Sequence, residues 1–310
     1  MKKHLLITGS HRSGSTWVGE ILATAPGTVM VSELFNPRIG KQYRIDWPYW
    51  FYYIENGQEF DHNLKSKLSY GLGRTTQMTC YWPYIKDEPA IHEKLLTGKR
   101  FFSALKNKAL GKRFLLKDPI AFFSAPYLYH TFDYEVLLII RHPAAFVASL
   151  KKQNWHFDFS NFLNQPLLMK DVLFKFRAEI EEYTRNEHTI IEQGCLLWMI
   201  IHETIRYYSE QYGWLAVKHE DLTINPHDEF KRIFSHYNLL YSDAVQKKID
   251  QTTSVNNAGE VNYESGHIQL NRNSQALTKL WKERLTKEEI SLIHKKTKST
   301  WPYFYENLDW

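Results

Sequence analysis

Short apolar runs rich in Val, Ile and Leu alternate along the chain with longer stretches in which apolar residues recur every three or four positions. The first pattern predicts buried strands, and the second predicts amphipathic helices. Strands are predicted at residues 4–8, 28–32, 113–117, 135–140 and 214–218, and the clearest helices at 15–25, 143–152, 171–185, 189–212, 226–237 and 286–300. This alternation is typical of an α/β protein with a central parallel β-sheet flanked by helices.

Two long segments depart from the alternation. Residues 41–100 follow the second strand and are rich in aromatic side chains, whereas residues 252–276 are polar and contain few large apolar groups. Long connections within a compact domain commonly form lids or binding loops. We therefore interpret residues 1–310 as a single domain that carries a binding insertion at 41–100 and a lid loop at 252–276.

The composition is that of a globular chain, because 43% of the 310 residues are hydrophobic and 24% are charged. This balance excludes disordered, collagen-like and coiled-coil proteins. No apolar run approaches the roughly 20 residues that a membrane-spanning helix needs, and the apolar stretch near the N-terminus is too short for a signal peptide. Cys80 and Cys195 lie far apart and form neither a disulfide framework nor a zinc-binding pattern. We therefore expect a cytoplasmic protein.

Charge and aromatic content narrow the class of ligand. The formal net charge of +5 suits an anionic ligand but does not single out nucleic acid, and we expect no nucleic-acid partner. Of 10 Trp, 19 Tyr and 18 Phe residues, twelve lie between Tyr43 and Tyr84. This concentration indicates that a flat and partly apolar ligand is bound by the insertion.

The main chemical motif follows the first strand. Residues 9–16 read Gly-Ser-His-Arg-Ser-Gly-Ser-Thr and have the spacing G-x-x-x-x-G-x-[ST] of a phosphate-binding P-loop. Ser15 stands where nucleotide-hydrolysing enzymes have lysine. The turn into a helix still presents backbone N–H groups and a positive dipole end to an anion. Arg12 adds a guanidinium that can hold two phosphate oxygens.

The residue after the fourth predicted strand is a second difference from the nucleotide-hydrolysing enzymes. The apolar run of this strand is followed by Arg141, where nucleoside triphosphatases often have a magnesium-binding aspartate. A cation at this point disfavours a metal ion and favours one more phosphate, so we expect a nucleotide that is bound without magnesium. The next helix begins at Pro143 and carries Ser149, whose hydroxyl can help to hold the same anion.

These residues carry a resemblance to a known family. Residues 10–17, residues 138–143 and Ser149 resemble the two nucleotide-binding motifs of the sulfotransferases, and weaker similarity continues through residues 117–119, 218–222, 272–274 and Trp281. The resemblance covers most of the chain and implies a P-loop NTPase-like sulfotransferase fold, with 3′-phosphoadenosine 5′-phosphosulfate (PAPS) as donor and no metal. The donor-binding residues that it implies are Arg12, Ser13, Gly14, Ser15 and Thr16 for the 5′-phosphosulfate, Trp17 for adenine, and Arg141, Ser149 and Arg272 for the 3′-phosphate.

Sulfuryl transfer is analogous to phosphoryl transfer and needs positioning, charge stabilisation and a base. We assign charge stabilisation to Arg12. Lys117, at the end of the third strand, either joins Arg12 or approaches the acceptor hydroxyl, with a purely structural lysine as the alternative.

For the base we select Glu33, at the end of the second strand and next to the P-loop strand, in a segment that resembles the glutamate segment of carbohydrate sulfotransferases. Many small-molecule sulfotransferases instead use a histidine shortly after the third-strand lysine, where this chain has Asp118 and Pro119. A carboxylate held in a structural salt bridge with an arginine is the alternative for Glu33.

The acceptor predicted from these features is a hydroxyl of a saccharide or glycolipid, and a phenolic or alcoholic metabolite is the nearest alternative. A glycolipid acceptor would add peripheral contact with a membrane. Two other functions stay open. One is a P-loop kinase of a small acceptor, against which Ser15 and Arg141 count, and the other is a catalytically inactive nucleotide-binding protein.

Overall fold

The structure is a computed structural model that describes residues 3–55, 62–73, 75–87, 90–253 and 278–310. Within these ranges, parallel strands form a sheet in the order β2-β3-β1-β4-β5. The strands are β1 His4–Gly9, β2 Thr28–Ser32, β3 Arg113–Lys117, β4 Tyr134–Ile140 and β5 Leu215–Lys218. The predicted parallel sheet is confirmed, and each strand lies within one residue of its predicted bounds.

Helices connect the strands and cover both faces of the sheet. The α-helices of the described residues are α1 Ser15–Ala23, α2 Pro37–Gly40, α3 His62–Gly71, α4 Met78–Lys86, α5 Ile91–Ala109, α6 Ala125–Phe132, α7 Pro143–Gln153, α8 Ser160–Leu163, α9 Pro166–Asp171, α10 Arg177–Arg185, α11 Ile190–Tyr212, α12 His219–Ile224, α13 Pro226–His236, α14 Asp243–Thr253, α15 Trp281–Arg284 and α16 Lys287–Lys296. The helix predicted at 171–185 is divided, because α9 ends at Asp171 and the chain turns at the fully buried Leu173 before α10 begins. None of these helices is long and apolar enough to cross a membrane.

The alternating side chains of the strands build two cores, one on each face of the sheet. Leu5 and Ile7 of β1 belong to the core shared with α1, α13 and α14. Leu6 belongs to the larger core shared with α6, α7 and α11. Burial on both faces explains why the strands are nearly continuous apolar runs, as is usual for parallel sheets.

The strand order corrects one expectation about Glu33. β2 pairs with β3, with Ser32 opposite Lys117, and β3 in turn pairs with β1. The strand that precedes Glu33 is therefore one position away from the P-loop strand. The carboxyl ends of β1, β2 and β3 still lie in register at one edge, since Ile7 is also opposite Lys117. Ligands of open α/β sheets bind at this edge.

The two interrupting segments differ in what the structure shows of them. Part of the aromatic insertion forms a cluster of its own, in which Tyr70 stacks on Tyr84 with ring centroids 3.8 Å apart and Tyr81 is buried beside them. These side chains pack on each other, and the insertion reaches the sheet edge through Trp50 and Phe51. Most of the predicted lid at 252–276 lies outside the described residues, which include only its first two positions at the end of α14.

Candidate active site

Two glycines shape the turn between β1 and α1. Gly9 has φ 124°, and a Cβ atom there would lie 2.4 Å from the carbonyl oxygen of Ile139 on β4. Gly14 has φ 83°, and a Cβ atom there would lie 2.4 Å from the ring of His219. Only glycine combines this backbone conformation with such close contacts. The strand–turn–helix geometry expected from the motif is therefore present.

The environment of this turn suits an anion. Among the described residues, no side chain caps the N-terminus of α1, and its first turn contains no acidic residue, so the N–H groups and the positive dipole end can interact with a ligand. The hydroxyls of Ser10 and Ser13 are buried and have no hydrogen-bond partner among the described residues. Buried polar groups are normally satisfied, and a phosphosulfate oxygen would satisfy these donors.

Arg12 lies in the turn and reaches across to α7. Its Nε atom donates a hydrogen bond to Ser149 Oγ at 2.9 Å, and its guanidinium carbon lies 5.1 Å from the ring centroid of Trp155. Arg12 has φ 62°, a left-handed conformation that costs about 1–2 kcal/mol for an ordinary residue. Its carbonyl oxygen accepts a hydrogen bond from the guanidinium of Arg141, which helps to hold this conformation. Arg12 thus contacts two other residues that are predicted to bind the donor.

Arg141 follows β4 directly and carries its charge into the same site. Burial lowers the pKa of Arg141 to about 10, a change that the nearby Glu220 opposes and Arg12 reinforces. The guanidinium therefore stays protonated at neutral pH. The carbonyl oxygen of Arg141 accepts a hydrogen bond from Trp198 Nε1 at 2.8 Å. Both the side chain and the backbone of Arg141 are held in place.

Sequence reasoning missed the support behind Arg141. Glu220 accepts a hydrogen bond from the backbone N–H of His142 at 3.0 Å and another from Tyr305 Oη at 2.9 Å. The ring of His142 also stacks on Trp281 at 5.1 Å between centroids. The weak similarity at residues 218–222 was the only signal for Glu220, and no signal pointed to Tyr305.

Trp17 lines the cleft but is mostly buried beneath it. Its Nε1 atom donates to Thr252 Oγ1 at 3.0 Å, and its ring meets the edge of Phe230 at 5.3 Å. These contacts place Trp17 between the nucleotide turn and the end of α14. Its stacking on adenine stays a prediction.

Glu33 lies on the cleft wall and is held by two neighbours. Lys117 Nζ donates to Glu33 Oε1 at 2.5 Å, and Asn36 Nδ2 donates to Oε2 at 2.9 Å. Burial would raise the pKa of Glu33, but the charge and hydrogen bond of Lys117, together with Asn36, hold it below its usual range. Lys117 is buried behind Glu33 and does not line the cleft. Glu33 does form an ion pair, which is what the alternative to a catalytic role predicted, although its partner is a lysine instead of an arginine.

Asp118 has a structural environment. Its carboxylate accepts hydrogen bonds from the backbone N–H groups of Phe35, Ile120 and Ala121 at 2.7, 3.0 and 3.2 Å. Burial raises its pKa to about 7, and the negative charge of Glu33 adds to this effect. Asp118 therefore joins the segment after β2 to the turn after β3, and so supports the position of Glu33.

These side chains surround a cleft of about 1090 Å³ at the carboxyl edge of the sheet. Its lining includes eight of the predicted site residues: Arg12, Gly14, Ser15, Thr16, Trp17, Glu33, Arg141 and Ser149. Ser13 lies beneath the surface, and Arg272 lies outside the described residues. The lining also contains the aromatic residues Trp50, Phe51, Trp155 and Phe157. Sequence reasoning did not identify three further cations of the lining, Arg38, Lys152 and Arg284.

Within the described ranges, no three His, Cys, Asp or Glu side chains form a group that could hold a metal ion. The donor groups of the cleft are instead cations, hydroxyls and backbone N–H groups, which are suited to the anionic oxygens of PAPS.

Comparison with known proteins identifies the family. A model of the sulfotransferase family matches residues 5–243. Similar solved structures include the sulfotransferase domain from the Synechococcus PCC 7002 olefin synthase, with 15% identity, a TM-score of 0.51 and coverage of 98% of this chain and 95% of that chain. Another is the sulfotransferase domain from the curacin biosynthetic pathway, with 13% identity, a TM-score of 0.52 and coverage of 96% and 98%.

At such identities the two structures support the fold alone, and no curated protein sequence matches the chain. The family match extends over most of the chain and includes the anion-binding turn, Glu33 and Arg141. This chain belongs to the sulfotransferase family and is a PAPS-dependent sulfotransferase.

Proposed function

We propose that this enzyme transfers the sulfuryl group of PAPS to a hydroxyl of a saccharide or glycolipid, with Glu33 as general base. The observation that carries the proposal is the position of Glu33, which lines the same cleft as Arg12 and the N-terminus of α1. A base and a site for the donor thus share one cavity. Assignment to the family removes the kinase alternative.

The donor half of the cleft supplies positive charge. In this proposal the N–H groups at the start of α1 and the Ser13 hydroxyl hold the 5′-phosphosulfate, and Arg141 with Ser149 holds the 3′-phosphate, which their burial and positions in the cleft support. Arg12 lies between these groups, because it contacts both Ser149 and Arg141. Its guanidinium can stabilise charge that develops on the leaving phosphate oxygen, and preorganised charge of this kind is usually the largest contribution to catalysis.

The base half of the cleft is built around Glu33. Because Lys117 holds its pKa below the usual range, Glu33 is ionised at neutral pH and can accept the proton of the acceptor hydroxyl. Lys117 and Asn36 orient both carboxylate oxygens while each oxygen keeps a lone pair for the substrate. Lys117 acts here as a positioning residue.

The walls of the cleft support a saccharide acceptor. Trp50, Trp155 and Phe157 line the cleft with aromatic rings, and the lining also includes the polar residues Asp158 and Asn161. A sugar ring combines an apolar face with a rim of hydroxyls, so it uses both kinds of side chain. A simple phenol would use mainly the aromatic wall.

Replacing Glu33 by glutamine tests the assignment of the base. The amide keeps the shape of the carboxylate but cannot accept the proton, so Glu33→Gln should lower kcat by about 10²- to 10⁴-fold while the affinity for adenosine 3′,5′-bisphosphate stays the same. The matched control is Glu210→Gln, which removes an exposed carboxylate that pairs with Arg206 on α11. Full activity of Glu33→Gln would contradict the assignment.

The acceptor is tested with labelled PAPS and a panel of saccharides, glycolipids and phenols. We expect the highest kcat/KM for a saccharide or glycolipid. A phenol that is sulfated far more efficiently would overturn that part of the proposal and leave the base assignment intact. A preparation that binds the nucleotide but sulfates no acceptor would favour the inactive binding protein.

A further inference from the structure

Helix α5 carries a row of apolar side chains on its outer side. Ile91, Leu95, Phe102 and Leu105 are 75%, 62%, 69% and 39% exposed, and their spacing of four, seven and three residues places them on one side of the helix. Gly98 occupies the remaining position of the row. We call these five residues the α5 stripe. Single exposed apolar residues are common, but a contiguous row of this kind usually marks an interaction site.

The opposite side of α5 attaches the helix to the rest of the protein. Thr97 and Ala104 are buried, and Phe101 packs edge-on against Tyr81 with ring centroids 5.1 Å apart. The stripe is therefore not the face that stabilises the fold. Helix α4, which packs against α5, also exposes Trp82 and Met78.

Positive charge flanks the stripe. Helix α5 contains five Lys and Arg residues and one Glu, so it holds a net +4 of the chain's formal +5. Lys94, Lys99 and Lys106 are each adjacent in sequence to a stripe residue and fall on both of its sides. Lysine stems can lie along an apolar surface while their ammonium groups reach outward to anions.

We propose that the α5 stripe docks this enzyme on a membrane surface that contains anionic lipids. An apolar row of Leu, Ile and Phe with lysines along its edges is the pattern of a helix that lies in the plane of a lipid interface. Anionic headgroups complement the lysines. The exposed Trp82 of the neighbouring helix fits the same location, because tryptophan is favoured at the membrane–water interface.

Charge disfavours a second copy of the chain as the occupant. Two stripes packed against each other would bring their flanking lysines together, and such like-charge contacts oppose association. A lipid surface supplies the opposite charge along the whole helix, which is about 28 Å long.

The docking face is joined to the active site through short contacts. Tyr84 Oη of α4 donates to the carbonyl oxygen of Tyr43 at 2.6 Å, and Arg44 donates to that of Pro83 at 3.1 Å. The segment that they hold continues from Arg38, a residue of the cleft lining. The helix next to the stripe is therefore linked by hydrogen bonds to a segment that continues from the cleft lining.

Co-sedimentation with lipid vesicles tests the proposal on the full chain. Vesicles of phosphatidylcholine alone are compared with vesicles that also contain phosphatidylglycerol. We expect binding only to the second kind, and weaker binding as the salt concentration rises. If the protein binds neither kind of vesicle, the proposal is overturned and a protein partner is favoured.

Two pairs of substitutions separate the apolar and charged contributions. The variant Leu95→Gln with Phe102→Gln removes the apolar contact, and Lys99→Glu with Lys106→Glu reverses the charge. Since one lysine near an anionic membrane strengthens binding about fivefold, the charge variant should bind at least about 20-fold more weakly. All four side chains are exposed, so the melting temperature and the affinity for adenosine 3′,5′-bisphosphate should stay unchanged.

Matched controls use exposed residues elsewhere in the chain. Leu240→Gln with Leu308→Gln controls for apolar loss, and Lys287→Glu with Lys295→Glu controls for charge reversal. Equal losses in the controls and in the α5 variants would contradict a specific docking face. Analytical ultracentrifugation measures the oligomeric state as a second readout. If the wild type is a dimer and the variant with Leu95→Gln and Phe102→Gln is a monomer, the stripe binds a second copy of the chain instead of a membrane.

Discussion

Removal of the Arg141 guanidinium tests how the site recognises the 3′-phosphate of its donor. Arg141 follows β4, lines the cleft and remains charged at neutral pH, because burial lowers its pKa only to about 10. The substitution Arg141→Met keeps an unbranched side chain but removes the charge and the hydrogen-bond donors. We expect it to weaken the binding of adenosine 3′,5′-bisphosphate and to leave the binding of AMP nearly unchanged.

The size of the expected loss in affinity follows from the environment of the Arg141 guanidinium. A hydrogen bond to a charged group contributes about 1.5–3 kcal/mol, and a guanidinium can form two such bonds with one phosphate. Truncation of one partner of a buried charge pair costs about 2–5 kcal/mol. The affinity for adenosine 3′,5′-bisphosphate should therefore fall by about 30-fold to several thousand-fold.

The choice of two nucleotides separates recognition from structural damage. The guanidinium of Arg141 also donates to the carbonyl oxygen of Arg12, so the substitution can disturb the site of the 5′-phosphate. AMP lacks the 3′-phosphate and reports that disturbance alone. Isothermal titration calorimetry of both ligands is carried out on the wild type, on Arg141→Met and on Arg206→Met, whose arginine pairs with Glu203 on α11. Equal losses for the two ligands would refute the assignment of Arg141 to the 3′-phosphate.

Two further predictions concern stability. Gly9→Ala should lower the free energy of unfolding by about 3 kcal/mol or more, because the new Cβ atom would meet the Ile139 carbonyl oxygen. The control is Gly27→Ala, which is also at positive φ but has no described heavy atom within 4 Å of the new Cβ, and it should cost only about 1–2 kcal/mol. Denaturant unfolding measures both values. Burial lowers the pKa of His202 to about 3, so unfolding takes up a proton at this site once the pH falls below about 6.5. Relative to His202→Asn, the wild type should therefore lose about 1.4 kcal/mol of stability per pH unit between roughly pH 6 and pH 4, and parallel stability curves would contradict this.

Local sequence was sufficient for the strands and for the anion-binding turn. The spacing of the two glycines and the adjoining apolar strand identify the turn after β1, although the contacts that require glycine there come from the distant residues Ile139 and His219. The apolar runs likewise predict all five strands of the sheet to within one residue. The division of the helix predicted at 171–185 was not predictable, because it depends on the burial of Leu173 in a core that distant elements complete.

The partners of the site residues depend on the path of the chain. Strand order separates β2 from β1 by β3, and this arrangement brings Lys117 to Glu33, 84 positions away. Tertiary packing also divides the aromatic insertion between a small core around Tyr70, Tyr81 and Tyr84 and the main core, which contains Trp47 and Phe51.

The chemistry of the site therefore has two origins. Residue types and spacing predict a cationic, phosphate-binding edge, because backbone donors, glycine turns and strand-end arginines act through local geometry. The ionised state of Glu33 and the support of Arg141 by Glu220 arise from contacts between residues far apart in sequence. Such contacts depend on burial and on three-dimensional proximity, which only the packed sheet and its helices create.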